Sequence, residues 1–396
     1  MRFPLVAALA AFLLAGCTAA PSQPPTDTTE AKRIAESARL TAYLDTEYEK
    51  ELAMSPEALT GLGRKEMYDQ LDDRSEAADD RKLEWRRKSV ADMKAMFDPA
   101  RLDDTTKTSY DIWAQELERA ERHHAYRRHE YVFGFGGDHT GLPQFLINFH
   151  RVDDKRDMEA YIARLSQFDA ALDQLLVRAQ AAAADGIRPP AFSFARTLDE
   201  IKRVSTGAPF TPGADSALFA DAKAKIAALV KNGKVTDAEA ATLTAAATNA
   251  LTAEVKPAYA RLGAWLASDA KNASKDARGV STLPDGADFY KTELYLQTTT
   301  NLTADEIHAL GLAEVARVRT EMEALKTKVG FKGTLRDFFA FMRKDRQFYF
   351  PNTDQGRADY LMLAETYLTA MKQRLPEYFG LLPKAGLIVK RVEAFR

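Results

Sequence analysis

The 396-residue chain carries 55 Lys and Arg against 57 Asp and Glu, a formal net charge of −2, with 28% charged and 46% hydrophobic residues. That balance leaves no basic footprint for nucleic acid and describes a water-facing body with a sizeable core. Its one cysteine, Cys17, excludes a disulfide within the chain.

Residues 1–16 read as a leader. Arg2 supplies a positive start, and the apolar run Phe3 to Leu14 is about 12 residues long, where a membrane-spanning helix needs about 20. Leu14-Ala15-Gly16-Cys17 places small residues before a cysteine, the pattern of a bacterial lipobox. The alternative is a secretory signal with an incidental cysteine. Acylation makes Cys17 the new N-terminus and gives the chain a membrane-lipid partner. Thr18 replaces the aspartate that retains lipoproteins at the inner membrane, so the expected place is the outer membrane, facing the periplasm of a Gram-negative cell. Residues 17–30 are rich in Pro, Ser and Thr and read as a tether, with the body at 31–396.

The body reads as all-α, a large multi-helix array with short extended segments. Ile34 to Ala53 puts Leu40, Leu44, Tyr48 and Leu52 on one stripe. Ser55-Pro56-Glu57 is a helix start with Ser55 as N-cap. Asp80 to Phe97 and Thr105 to Arg128 are long helices separated at Asp98-Pro99. Tyr131 to Gly137 is a glycine–aromatic loop. Lys155 to Ala184 reads as one helix ended by Gly186 and Pro189-Pro190. Leu198 to Val204 is a short helical turn, and Pro212 to Lys231 is a helix. Thr236 to Ser268 is a capped helix that Pro257 kinks or splits. After a loop ending at Pro284-Asp285-Gly286, Thr303 and Glu306 form a capping box for a helix through Leu325. Thr334 to Lys344 and Thr353 to Arg374 follow. Gly386 to Arg396 reads as an unpaired C-terminal β-strand, whose backbone groups need a partner that the helical body does not offer.

Chemistry-bearing patterns are sparse. A zinc-peptidase helix needs two His four residues apart, and none of the six histidines is so paired. His129-Glu130 begins such a motif, but Phe133 stands where the second His belongs. His123, His124 and His129 lie among Arg and Glu and read as a solvated face. No nucleophile elbow and no phosphate-binding loop occurs. Asp138 and His139, read as part of the glycine-rich loop, and Gln144 are the candidate lining residues of a substrate cleft. No residue is assigned as catalytic or as a metal ligand.

Several segments carry a family resemblance. Leu283-Pro284-Asp285-Gly286 and the run from Thr298 to Arg319, with its Thr-Ala-Asp-Glu-Ile-His core, resemble the bacterial family known as domain of unknown function 885. Met54-Ser55-Pro56 with Gly61-Leu62-Gly63, Asp157 to Leu165, and Gly186-Ile187-Arg188-Pro189-Pro190 agree, over roughly residues 37–396. The resemblance implies a mostly helical lipoprotein similar to zinc metallopeptidases. It also implies that zinc and a peptide substrate belong to full-length members, whose metal-binding His-Glu helix lies downstream of the segment matching residues 387–396. Two expectations follow. The chain is the N-terminal portion of an envelope metallopeptidase-like protein, without cofactor and inactive alone. Alternatively it is a complete, non-catalytic helical lipoprotein that binds a partner or scaffolds the envelope.

Overall fold

The computed structural model describes residues 28–389 except 135 and 277. The leader, Cys17 and the tether up to residue 27 lie outside the described residues. The protein is all-α, and among the described residues the only β pairing is an isolated bridge between Ala208 and Asp215. Its contacts divide it into two units, the first ending at Asn301 and the second beginning at Leu302.

The first unit opens with α1 (Thr28–Leu52), α2 (Pro56–Gly61), α3 (Glu76–Met96) and α4 (Asp104–Ala125). Ser75 and Asp103 cap α3 and α4, each accepting a backbone N–H three residues on. Leu40, Met93, Phe97, Leu102 and Tyr110 form the small core between α1, α3 and α4. Ser55 does not cap α2. Its hydroxyl donates to Asp72 (2.6 Å), and the other Asp72 carboxylate oxygen accepts the Glu57 N–H (3.0 Å). The cap is therefore supplied from a distant segment.

A larger core joins α5 (Asp138–Asn148), α6 (Lys155–Ser166), α7 (Phe168–Ala184), α8 (Ala191–Val204), α9 (Ala217–Lys231), α10 (Asp237–Ala250) and α11 (Lys256–Asp269). The helix expected over Lys155–Ala184 is broken at Gln167. Its amide serves the strap before α3, accepting from Leu71 N (3.0 Å) and donating to Asp69 O. The short turn expected at Leu198 is the end of the longer α8. Thr236 and Glu239 form the expected capping box. Pro257 splits the following helix as expected. Leu251–Val255 is a π turn in which Lys256 N–H reaches back five residues to Leu251 O, accommodating a proline that offers no N–H. Two 3-10 turns, Ala270–Asn272 and Val280–Thr282, precede α12 (Gly286–Thr298), a helix that the sequence reading did not assign and that starts at the end of the turn marked at Pro284-Asp285-Gly286.

The second unit holds α13 (Ala304–Lys328), α14 (Leu335–Lys344) and α15 (Asp354–Arg374). Capping boxes at Thr303/Glu306 and Thr334/Asp337 open the first two. Among its described residues only Leu335, Phe338 and Gly356 are buried. Leu310, Val315, Leu325, Tyr360, Tyr367 and Met371 are each more than half exposed. The expected C-terminal strand is not formed over its described part. Residues 386–389 are irregular, with Leu387 and Ile388 exposed, because an extended segment becomes a strand only when a neighbour accepts its backbone bonds. Residues 390–396 lie outside the described set.

Two glycine substitutions are expected to act in opposite directions. A Cβ on Gly286 would sit 2.0 Å from Val280 O, whereas one on Gly311, in mid-α13, meets open space. Gly286→Ala should destabilise the first unit by about 2 kcal/mol through forced backbone movement. Gly311→Ala should stabilise α13 by about 1 kcal/mol. Chemical denaturation followed by circular dichroism reads both signs.

Candidate functional site: two buried histidine clusters

Gly137, extended at φ −68° and ψ 170°, lets α5 start at Asp138. The Asp138-His139 pair is therefore the first turn of a helix, not part of the loop that the glycines suggested. Asp138 is half-exposed, and its carboxylate accepts from Arg74 Nε (2.7 Å). Arg74 also grips Glu57 (2.9 Å) and donates to Asp72 O (3.0 Å). Burial pulls the Arg74 pKa down, but Glu57 and Asp138 outweigh it and hold it above the ordinary arginine value. The network pins the segments around residues 55–57 and 72–74 to the start of α5.

His139 is fully buried and faces inward. Its Nε2 lies 2.8 Å from Glu200 Oε2, and Arg196 Nε donates to the other Glu200 oxygen (2.9 Å). The Tyr259 hydroxyl donates to His139 O (2.6 Å). Burial lowers the His139 pKa further than Glu200 raises it. The imidazole is thus neutral, donates Nε2–H to an ionised Glu200, and keeps a lone pair on Nδ1, which has no partner. A Cβ added at Gly137 would lie 3.1 Å from Nδ1, so the loop backbone closes that side. Gln144, later on α5, is exposed. Asp138 and His139 thus share one helical turn but look in different directions, and Gln144 does not join them.

The second cluster was missed by the sequence reading. Arg164 of α6 is 0% exposed. Its Nε donates to Gln70 O (2.8 Å), and its NH2 to Thr60 Oγ1 (2.8 Å) and Pro56 O (3.3 Å). Its NH1 donates to His150 Nδ1 (3.0 Å), and its guanidinium lies over the rings of Tyr68 (5.1 Å) and Phe145 (5.0 Å). His150 donates Nε2–H to Asp157 O (3.0 Å) and stacks on Tyr68 at 4.1 Å. The warning sign in the sequence was a charge at Arg164 within the apolar stripe of Tyr161, Leu165 and Phe168, where a polar group survives only if bonded.

The other described histidines are engaged at or near the surface. His123 pairs with Glu130 (2.6 Å) and His124 with Asp80 (3.1 Å). His129 Nε2 bonds Pro284 O (2.7 Å) between Tyr126 and Phe289. His308 is exposed on α13. Among the described residues no three His, Cys, Asp or Glu side chains converge on a point able to hold a metal ion.

An all-α body with two buried histidine clusters is the class that this geometry defines. The chain belongs to the family described as "Bacterial protein of unknown function (DUF885)", which matches residues 56–396. It is also similar in fold to the crystal structure of "the putative lipoprotein from Colwellia psychrerythraea", with a TM-score of 0.74 and 18% identity. That likeness covers 93% of this chain and 61% of the other, so the chain spans less than two thirds of that protein's length. No curated protein matches it. Among the described residues no helix is long and apolar enough to cross a membrane.

The Arg164–His150 contact has a defined pH dependence. Burial first, and the Arg164 charge with it, lowers the His150 pKa from 6.5 to about 4. As pH falls below 6.5 the unfolded chain takes up this proton while the folded chain resists until about 4, so stability is full above 6.5 and drops across that window. The full drop is worth roughly 3 kcal/mol. His150→Asn keeps one donor and one acceptor without titrating, so its stability should fall by about 3 kcal/mol less than the parent's between pH 7 and pH 4. Urea titrations at both pH values make the comparison. In the same assay Arg164→Met, which leaves Gln70 O, Pro56 O and the Thr60 hydroxyl without their donor, should cost about 3 kcal/mol or more at pH 7.

Proposed function

We propose that the chain is the helical portion of a lipid-anchored envelope protein, held by Cys17, in a family that resembles zinc metallopeptidases. In this reading its own part is to shape and carry, while hydrolysis depends on residues outside the described helices. One observation supports it above the rest. The helices α13 to α15 leave many large apolar side chains exposed, and exposed apolar surface of that kind marks an interaction site. The related lipoprotein, of which this chain spans 61%, has further length that can provide such a partner.

The described residues do not fit a zinc site. His139 Nδ1 faces the loop backbone, His150 Nδ1 accepts from a buried cation, and His123 and His124 are paired with single acids. Asp138, the half-exposed acid at the start of α5, stays the first residue to test for substrate contact, ahead of the enclosed His139 and the isolated Gln144.

Two measurements decide the matter. The purified chain is expected to contain no stoichiometric zinc and to leave a peptide mixture uncleaved. Stoichiometric zinc together with turnover overturns the reading. Expressed with its leader, the chain should fractionate with membranes and Cys17→Ala should not. The non-catalytic alternative predicts a cooperatively melting monomer, whereas the proposed reading predicts concentration-dependent self-association through the apolar helices.

A further inference from the structure

Helices α13 and α14 of the second unit wall an open groove of about 590 Å³. Val315, Val318 and Met322 line it from α13, and Leu335 and Phe339 from α14. The α13 wall is regular. Val315, Val318, Met322, Leu325 and Val329 follow at alternating spacings of three and four residues, a seven-residue repeat. Val315, Met322, Leu325 and Val329 are exposed, and Val318 is half-buried. A 3.5-residue period is the one that keeps an apolar seam facing a second helix along its length. An acyl tail or an extended peptide has no need of that period.

The charges around the groove leave a positive excess. Arg319 of α13 and Arg336 of α14 both line it and are exposed, one on each wall. Neither has a carboxylate within ion-pair distance among the described residues. The nearby acids are engaged elsewhere. Glu314, the one acid in the lining, is held by Arg317 (2.8 Å), which also takes Glu321 (2.6 Å). Glu323 is taken by Lys326 (2.6 Å), and Asp337 accepts the Thr334 N–H (3.0 Å) and hydroxyl (2.6 Å) in the capping box of α14. With Val315 and Met322 at the a positions of the repeat, Arg319 falls at e, the flank that meets the edge of a facing helix and sets its choice of partner.

We infer that this groove is the docking site of an amphipathic helix from a partner protein, with carboxylate side chains on both edges of its apolar stripe. The stripe lies on the Val315–Val318–Met322 seam and against Phe339, and the carboxylates take the guanidinium forks of Arg319 and Arg336. The inference rests on the reading of α13 to α15 as an interaction surface, and it adds the shape and charge of the partner.

The test is fluorescence anisotropy at fixed ionic strength, with the full chain and labelled synthetic peptides. The probe is a helix of about three heptads with Leu at a and d and Glu at e and g, whose like charges keep it from pairing with itself. Its twin carries Lys at e and g. Saturable binding of the Glu peptide is expected, at least about tenfold tighter than that of the Lys peptide. Arg319→Glu together with Arg336→Glu should reverse the preference, and both positions are exposed, so circular dichroism should show the fold unchanged. Val315→Asp, at an exposed position of the seam, should weaken binding of the Glu peptide about tenfold or more. No saturable binding of the Glu peptide overturns the proposal, and so does equal binding of the twins or a preference that the double charge reversal leaves unchanged. Dimerisation of the chain that the same reversal removes makes a second copy the occupant and overturns it too. Zinc content, turnover and membrane fractionation are separate measurements, so failure of the envelope reading and failure of this proposal are told apart.

Discussion

The guanidinium of Arg164 is the constraint on which the first unit depends. It is a full charge with no contact to solvent and no carboxylate in direct contact. Burying such a charge carries a heavy desolvation cost unless every donor finds an acceptor. Here the acceptors are backbone and neutral: Pro56 O, Gln70 O, the Thr60 hydroxyl and His150 Nδ1. They come from the strap around α2 and from the loop before α6. One side chain therefore converts a backbone excursion of some twenty residues into a fixed surface. It also dictates the state of a neighbour, since His150 can accept from Arg164 only while neutral.

The same logic extends outward. Arg74 is a second cation at the same strap, but it is paired with true carboxylates, Glu57 and Asp138. Asp72 caps α2 in place of Ser55, and Gln167 breaks the helix between α6 and α7 to reach Leu71 and Asp69. Irregular backbone between α1 and α3 is thus satisfied by side chains drawn from α5, α6 and the α6–α7 junction. A strap without regular structure must find its bonds this way. The resulting order is tertiary, and it fixes where Asp138 begins α5.

This division explains what the sequence disclosed. Elements with local signals were readable: the Thr236/Glu239 and Thr303/Glu306 capping boxes, the Pro257 disruption, and the amphipathic stripe of α6. What depended on distant partners was not. Ser55 carries an N-cap signature, yet a carboxylate from residue 72 takes the role. Gln167 is a sound helix former, yet it interrupts a helix because its amide is needed elsewhere. The glycines of residues 131–137 marked a stretch that is irregular where described, but the loop ends at Gly137, and Asp138 and His139 already belong to α5. The Asp157–Leu165 stretch was recognisable as family pattern before its reason was visible. In the structure Asp157, Met158, Ala160, Tyr161, Arg164 and Leu165 of that stretch are buried, so the pattern records the Arg164 junction.

The second unit shows the opposite arrangement, and that contrast bears on function. Its helices α13 and α14 begin at reciprocal caps and α15 at the single Thr353 cap, and α13 adds surface pairs such as Arg317 with Glu314 and Glu321. Such signals set a helix locally, for a few tenths of a kcal/mol to about 1 kcal/mol each, without tertiary burial. They cannot account for the apolar side chains. A helix specified only to stand in water has no use for Leu310, Val315 and Leu325 on one chain segment, or for Tyr360, Tyr367 and Met371 on another. The first unit buries its charges to hold itself together, whereas the second leaves most of its described apolar side chains exposed.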